Sequence, residues 1–193
     1  MPLLVSLDMG CGKSPKNPFR CDVVEGVDVE AGLTSATVKV ADLSVEPIPF
    51  EDNYFDVVTA YDFIEHVPRV IYNPNRRNPF IELMNEISRV LKPGGLFYSS
   101  TPAYPHAAAF QDPTHVNVIT EKTFPNYFSI KHKCRARLYG YNGVLIFLGQ
   151  YRNNGSHLVV TMRKDANEGE SSPFADDDYL RTFGDLTGPL VFP

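Results

Sequence analysis

A short apolar run that stops at a carboxylate and a glycine turn constrains this chain more than any other feature. Leu3-Leu4-Val5-Ser6-Leu7 leads directly into Asp8-Met9-Gly10-Cys11-Gly12. An apolar run of this length, bounded by a turn, reads as a strand buried on both faces of a parallel sheet. Asp-x-Gly-x-Gly at its end puts a carboxylate and two flexible residues at the carboxyl edge of that sheet, where open α/β sheets bind ligands. The phosphate-binding versions of such a turn do not fit. A P-loop needs a glycine five positions before the Gly12-Lys13-Ser14 triplet, and that position is Leu7. A dinucleotide fingerprint needs a third glycine at position 15, which is Pro15.

The rest of the chain supplies a sheet for this turn. Val23-Val24-Glu25-Gly26-Val27-Asp28 reads as a second strand ending on a carboxylate, residues 37–40 as a third, and Phe55-Asp56-Val57-Val58-Thr59-Ala60-Tyr61 as a fourth. Residues 80–91 carry Ile81, Met84, Ile87, Val90 and Leu91 at helical spacing, and Lys92-Pro93-Gly94-Gly95 stops that helix before a fifth strand at 96–100. Strand and helix alternation predicts an α/β, Rossmann-like, mainly parallel sheet flanked by helices. Two further strands, at 144–151 and 158–163, flank the turn Asn153-Asn154-Gly155, so they run antiparallel near the C-terminus. Pro15 and Pro18 leave room only for a short or broken helix in 13–22. We expect one domain over 1–163, with 102–135 as a substrate loop or lid, and an acidic, loosely held tail over 164–193.

Composition sets outer limits. The chain has 193 residues, 43% hydrophobic and 21% charged, which suits one globular core. A net charge of -5 argues against a general nucleic-acid surface. Cys11, Cys21 and Cys134 are odd in number and lack metal-site spacing, as expected of free thiols in a reducing compartment. Cys11 lies in the glycine turn, where it reads either as a small filler or as a reactive thiol. The N-terminus has no basic segment before its apolar run, and no stretch approaches the roughly 20 apolar residues of a membrane span. These features predict a cytoplasmic protein, and nothing in them forbids a homodimer.

Four stretches in order resemble the class I S-adenosylmethionine-dependent methyltransferases, in particular the small type 11 group. They are Leu7-Asp8-Met9-Gly10-Cys11-Gly12; Gly26-Val27-Asp28; Ala41-Asp42-Leu43 with Pro49-Phe50-Glu51-Asp52-Asn53-Tyr54-Phe55-Asp56; and Arg89-Val90-Leu91-Lys92-Pro93-Gly94-Gly95. The resemblance covers roughly residues 3–101 and implies S-adenosylmethionine as the cofactor. It implies that Gly10, Cys11 and Gly12 line the methionine and adenosyl part, with Asp8 near the ammonium. Asp28, followed by Val29, would hold the ribose hydroxyls. Asp42 would accept from the adenine amino group while Leu43 packs on the ring, and Tyr61 and Asp62 would border the methyl group. Asp42 also reads as a turn or cap residue, and Asp56, at a strand start, reads as structural. The family usually fits a fuller helix between Gly12 and Asp28 than this chain has room for.

Methyl transfer from a sulfonium is an in-line displacement in which alignment does much of the work, and a base is needed when the nucleophile must lose a proton. Candidate catalytic groups are His66, His106 and His115. His66 lies in Asp62-Phe63-Ile64-Glu65-His66, where a helix would put 62, 65 and 66 on one face. His106 and His115 flank Asp112; that trio reads as catalytic, as a locked lid, or as a metal set, and no metal is assigned. His115 is the best base. His132 and His157 read as surface or packing residues. Lys131, Lys133, Arg135 and Arg137 alternate and, on a strand, would share a face. That stripe reads either as a solvated edge or as a site for an anionic acceptor. The function that emerges is methylation of an oxygen or nitrogen of a small-molecule acceptor. The alternative is a catalytically weak S-adenosylmethionine-binding module or a partner subunit of another methyltransferase.

Overall fold

The computed structural model describes residues 3–30 and 37–166. In that part, seven strands form one sheet in the order β3-β2-β1-β4-β5-β7-β6. β1 (Val5–Met9), β2 (Val23–Asp28), β3 (Val38–Val40), β4 (Phe55–Tyr61) and β5 (Leu91–Pro102) are mutually parallel, as the alternating pattern requires. β7 (His157–Lys164) runs antiparallel to both β5 and β6 (Leu145–Asn153). Asn154 and Gly155 both take positive φ in the hairpin between them, the conformation Asn-Gly pairs supply cheaply. The mixed sheet is therefore the Rossmann-like arrangement expected. Among the described residues, no helix is long and apolar enough to cross a membrane.

One face of the sheet is covered in the ordinary way. Helix α1 (Pro79–Val90) starts with proline at its first turn and buries Phe80, Leu83, Met84, Ile87 and Val90. These side chains pack on Leu7, Met9, Val27, Val58, Ala60 and Phe97 of the sheet. Helix α2 (Ala108–Gln111) is a single turn. Helix α3 (Thr123–Phe128) belongs to this layer too, because Phe124 and Phe128 are buried and meet Phe80 edge-on. The expected lid over 102–135 is thus corrected in its second half. Phe124 and Phe128 stand one helical turn apart and are core residues.

Among the described residues, the other face is covered without a helix. Residues 13–22 form turns and extended backbone. Pro15 and Pro18 account for this, since each removes an N–H donor and clashes with a preceding helical turn. The segment instead lies along one row of residues crossing the sheet. Strand register sets Gly26, Asp8, Thr59 and Tyr98 side by side. Pro15 packs over Gly26, where a Cβ would sit 2.7 Å from its ring and 2.5 Å from Cys11 Sγ. The Lys16 N–H donates to Asp8 Oδ2 at 2.8 Å, and Phe19 meets Tyr98 edge-on with ring centroids 5.6 Å apart. Glycine at position 26 is therefore a requirement of space, which the resemblance alone did not explain.

The basic stripe does not lie on a strand. Arg135–Tyr139 is a short 3-10 helix, entered through Cys134 and left through Gly140, both in the left-handed region. Arg137 is spent locally, donating to the carbonyls of Tyr141 and Gly143 and lying over the Tyr141 ring. Alternation over 131–137 thus does not gather four cations on one face. β7 extends the folded region one residue past the expected boundary at 163. Most of the acidic tail lies outside the described residues.

Candidate active site

The glycine turn is built by register. β1 and β2 pair in parallel, and the Gly10 and Cys11 N–H groups donate to the Val27 carbonyl, folding the turn back over the end of β2. Gly10 and Gly12 have φ of +65° and +57°, which favours glycine at both. Their surroundings differ. A Cβ on Gly10 would lie 2.7 Å from the Phe63 ring, whereas nothing lies within 4 Å of one on Gly12. Phe63 closes one side of the turn and Gly12 opens the other to a ligand.

The carboxylates have separate duties. Asp8 is buried; its Oδ2 accepts the Lys16 N–H and its Oδ1 accepts the Thr59 hydroxyl at 2.8 Å. Burial pushes its carboxyl above the usual range, and these bonds partly oppose that. Asp8 therefore acts from beneath the turn, tying the proline-containing segment to the sheet. Asp28 is half-buried at the end of β2. Its Oδ2 accepts the Gly12 N–H at 2.8 Å and its Oδ1 accepts the Glu30 N–H at 3.0 Å. Each carboxylate oxygen retains acceptor capacity beyond these bonds. Val29 beside it is exposed.

Asp42 Oδ1 accepts the Ser44 N–H at 2.9 Å, so this residue does cap a turn, while Leu43 behind it is buried. Asp56 is structural, accepting from the Val5 N–H and the Lys92 ammonium, both on Oδ2. An open glycine face, a carboxylate at the end of β2 and a second one after β3 fit a ligand with a ribose and an amino-substituted ring. They would hold S-adenosylmethionine through Gly12, Asp28 and Asp42.

Cys11 is a filler. Its thiol lies over Gly26 alongside Pro15 and donates to the Gly12 carbonyl at 3.3 Å. Burial first, then the charges of Asp8 and Asp28, push its pKa up to about 11. At pH 7.5 only a minute fraction is thiolate, so Cys11 should alkylate with iodoacetamide at least 10-fold more slowly than a free thiol of ordinary pKa. Peptide mapping after timed alkylation checks this; rapid labelling of the native protein would contradict it.

The acceptor side begins after β4. Tyr61 lies under the Lys16 ammonium, 4.6 Å from the ring centroid. Asp62 takes a left-handed φ of +49°, so the expected shared helical face of 62, 65 and 66 does not form; only Ile64–His66 are helical, as one 3-10 turn. Asp62 Oδ1 instead meets His157 Nε2 at 2.8 Å. His157 was set aside in the sequence, because its partner lies 95 positions away and no local pattern signals it.

His66 and His115 are brought together, with ring centroids 4.8 Å apart and planes at 80°. Glu65 joins them, and one ligand atom from each of the three lies within 4.8 Å of the others. His115 Nδ1 faces the Ala108 carbonyl at 3.1 Å. His66 Nδ1 faces Thr114 Oγ1 at 3.0 Å, and that hydroxyl donates to Asp112 Oδ1 at 2.6 Å. Two Thr114 hydrogen bonds hold the Asp112 carboxyl below its usual range. His106 is placed elsewhere, its Nδ1 accepting the Ala108 N–H. Of the three candidate histidines, two converge and one serves as a turn acceptor. Glu65 was visible in the sequence only as a neighbour of His66.

Residues 7–99 match the family model for a methyltransferase domain. Among curated proteins no sequence match is found. Solved structures share the fold. A candidate sarcosine dimethylglycine methyltransferase from Galdieria sulphuraria superposes with a TM-score of 0.57 at 16% identity, over 86% of this chain and 79% of its own. An S-adenosylmethionine-dependent methyltransferase from Methanosarcina mazei gives 0.52 at 16%, over 86% and 95%. The [4+2]-cyclase SpnF gives 0.55 at 16%, over 85% and 76%. At such identities the likeness carries the fold and not the acceptor.

Proposed function

Because this chain carries a class I S-adenosylmethionine-dependent methyltransferase domain over residues 7–99, we propose that it methylates an oxygen or nitrogen of a small anionic acceptor. The convergence of Glu65, His66 and His115 beside Phe63, which itself closes the glycine turn, is the observation that carries this reading. When bound, S-adenosylmethionine supplies an electrophilic methyl group on a positively charged sulfur. The chain's own residues supply position and proton handling. Asp28 orients the ligand through charge-assisted bonds. His115, its Nδ1 fixed on a carbonyl, presents Nε2 as a proton acceptor, and His66 is held in the same way by Thr114. A chemistry-bearing cluster at this point weighs against the alternative of a module that only binds the cofactor. Three buried free cysteines support a reducing, cytoplasmic setting.

The preference for an anion rests on a cavity of about 420 Å³ between the start of α1 and α3. Arg69, Arg76 and Lys122 line it beside Phe80, Tyr127 and Tyr139, and among the described residues no carboxylate does. Arg69 Nε donates to Asn117 Oδ1, and the Asn117 N–H donates to the Glu65 carbonyl, so the cavity wall and the histidine cluster share one stretch of chain. Radiolabelled methyl transfer into pooled hydroxy- and amino-carboxylates, with neutral analogues alongside, tests this. Arg76→Glu should raise KM about 10-fold for carboxylate acceptors and leave neutral ones unchanged. Equal effects on both would remove the anionic part of the proposal, and no turnover of any acceptor would remove the rest.

A further inference from the structure

We propose that Glu65, His66 and His115 form a binding site for one divalent first-row transition-metal ion. Two independent features converge on this. Glu65 is 1% exposed, and its Oε2 accepts the Thr101 hydroxyl, yet its buried Oε1 has no hydrogen-bond partner. A buried carboxylate oxygen without a partner has lost its water and gained nothing in return, so it calls for a ligand. Second, both imidazoles are fixed in the same tautomer. His115 Nδ1 faces a carbonyl, which can only accept, so Nδ1 carries the hydrogen. Thr114 spends its hydroxyl hydrogen on Asp112, so His66 Nδ1 must also be the donor. Each ring therefore keeps a lone pair on Nε2. This is also the support that metal-binding histidines ordinarily have, with the far nitrogen donating to a carbonyl or to a carboxylate-linked group.

The donor spread fits an ion after small adjustments. Ligand atoms within 4.8 Å of one another must draw in by about an ångström to sit around 2.0–2.2 Å from a common centre. Both histidines are half-buried on short connecting segments, where ring rotation of that size is cheap. Two imidazoles among three donors favour transition metals over Mg²⁺ or Ca²⁺, which prefer all-oxygen sets. Three protein donors leave positions open, as catalytic metal sites do.

This inference rests on the proposed function for its chemical use and changes one part of it, the group that activates the acceptor: the ion takes the place of His115. With the ion bound, the histidines act as ligands and not as bases. An acceptor hydroxyl on an open position would then lose its proton to solvent at lower pH than it does in water. Metal binding itself can be tested apart from methyl transfer.

The test uses untagged full-length protein stripped with chelator and titrated with Co²⁺, read by visible absorption and by bound-metal analysis after dialysis. One Co²⁺ per chain is expected, unaffected by millimolar Mg²⁺. Glu65→Gln and His115→Gln should each weaken Co²⁺ binding at least 10-fold. Should a variant misfold, imidazole NMR of the wild-type chain decides. Of five histidines, the ring signals of His66 and His115 should broaden selectively on adding Co²⁺. Absent binding, equal binding by the variants, broadening of other histidines, or displacement by Mg²⁺ would overturn the assignment. Parallel titration with S-adenosylhomocysteine separates the two readings. Co²⁺ binding without it leaves the metal site and removes the cofactor role, and the converse removes only the metal site.

Discussion

Asp28→Ala should weaken S-adenosylhomocysteine binding by about 100-fold in calorimetric titration. The estimate follows from counting what the carboxylate does. Hydrogen bonds to a charged group contribute about 1.5–3 kcal/mol each, and every 1.4 kcal/mol is tenfold in affinity. Asp28 is proposed to hold the ribose hydroxyls, and it already accepts the Gly12 N–H at 2.8 Å, fixing the open side of the turn. Removing it costs the ligand bonds and loosens the backbone that the ligand lies against. Asp28→Asn keeps one acceptor and should lose only about tenfold. Asp42→Ala should fall nearer that smaller value, because Oδ1 of Asp42 is already occupied by the Ser44 N–H. An Asp28→Ala affinity within threefold of wild type would show that the carboxylate serves the turn and not the ribose.

The strand ends were legible in the sequence because their signals are local. An apolar run, a carboxylate and a glycine define β1, and an apolar run that stops at a carboxylate defines β2 and β4. The helix stop at Lys92-Pro93-Gly94-Gly95 was equally local, and α1 ends at Val90. Features set by neighbours across space were not legible. Gly26 stands in one of the stretches that carry the resemblance, yet only the packing of Pro15 and Cys11 above it explains why no Cβ fits. His157 meets Asp62 through the β5–β7 pairing, which puts His157 beside Pro102 at the end of the strand.

Glu65 is decided by one atom's surroundings, which no spacing rule reports. The basic stripe failed for a related reason. Alternation implies a shared face only on a strand, and the left-handed residues Cys134 and Gly140 bound a 3-10 turn there instead. Of the two histidines that flank Asp112 in the sequence, His115 lies against His66, with ring centroids 4.8 Å apart. His106 instead turns its Nδ1 to the backbone N–H two residues on.

Phe19→Ala should be the most destabilising single change among those considered, costing about 3–5 kcal/mol, the usual range for truncating a buried phenylalanine. The reason lies in the sequence before β2. Pro15 and Pro18 deny this segment a helix, so it buries the sheet face with side chains placed one at a time. Phe19, 2% exposed, is the largest of them, and it joins Val57, Leu96, Tyr98 and Val159 in one cluster. A helix would spread that load over several residues; here one ring carries most of it. For a chain of this size each kcal/mol lowers Tm by about 2–4 °C, so a fall of about 10 °C is expected by circular dichroism. The effect should reach the ligand as well, since the same segment is anchored through the Lys16 N–H to Asp8 beneath the glycine turn. S-adenosylhomocysteine should therefore bind Phe19→Ala several-fold more weakly, even at temperatures where the variant is folded. A Tm drop under about 2 °C would mean that something other than Phe19 covers this face, and the segment would then have to be read as a loop resting on an already stable sheet.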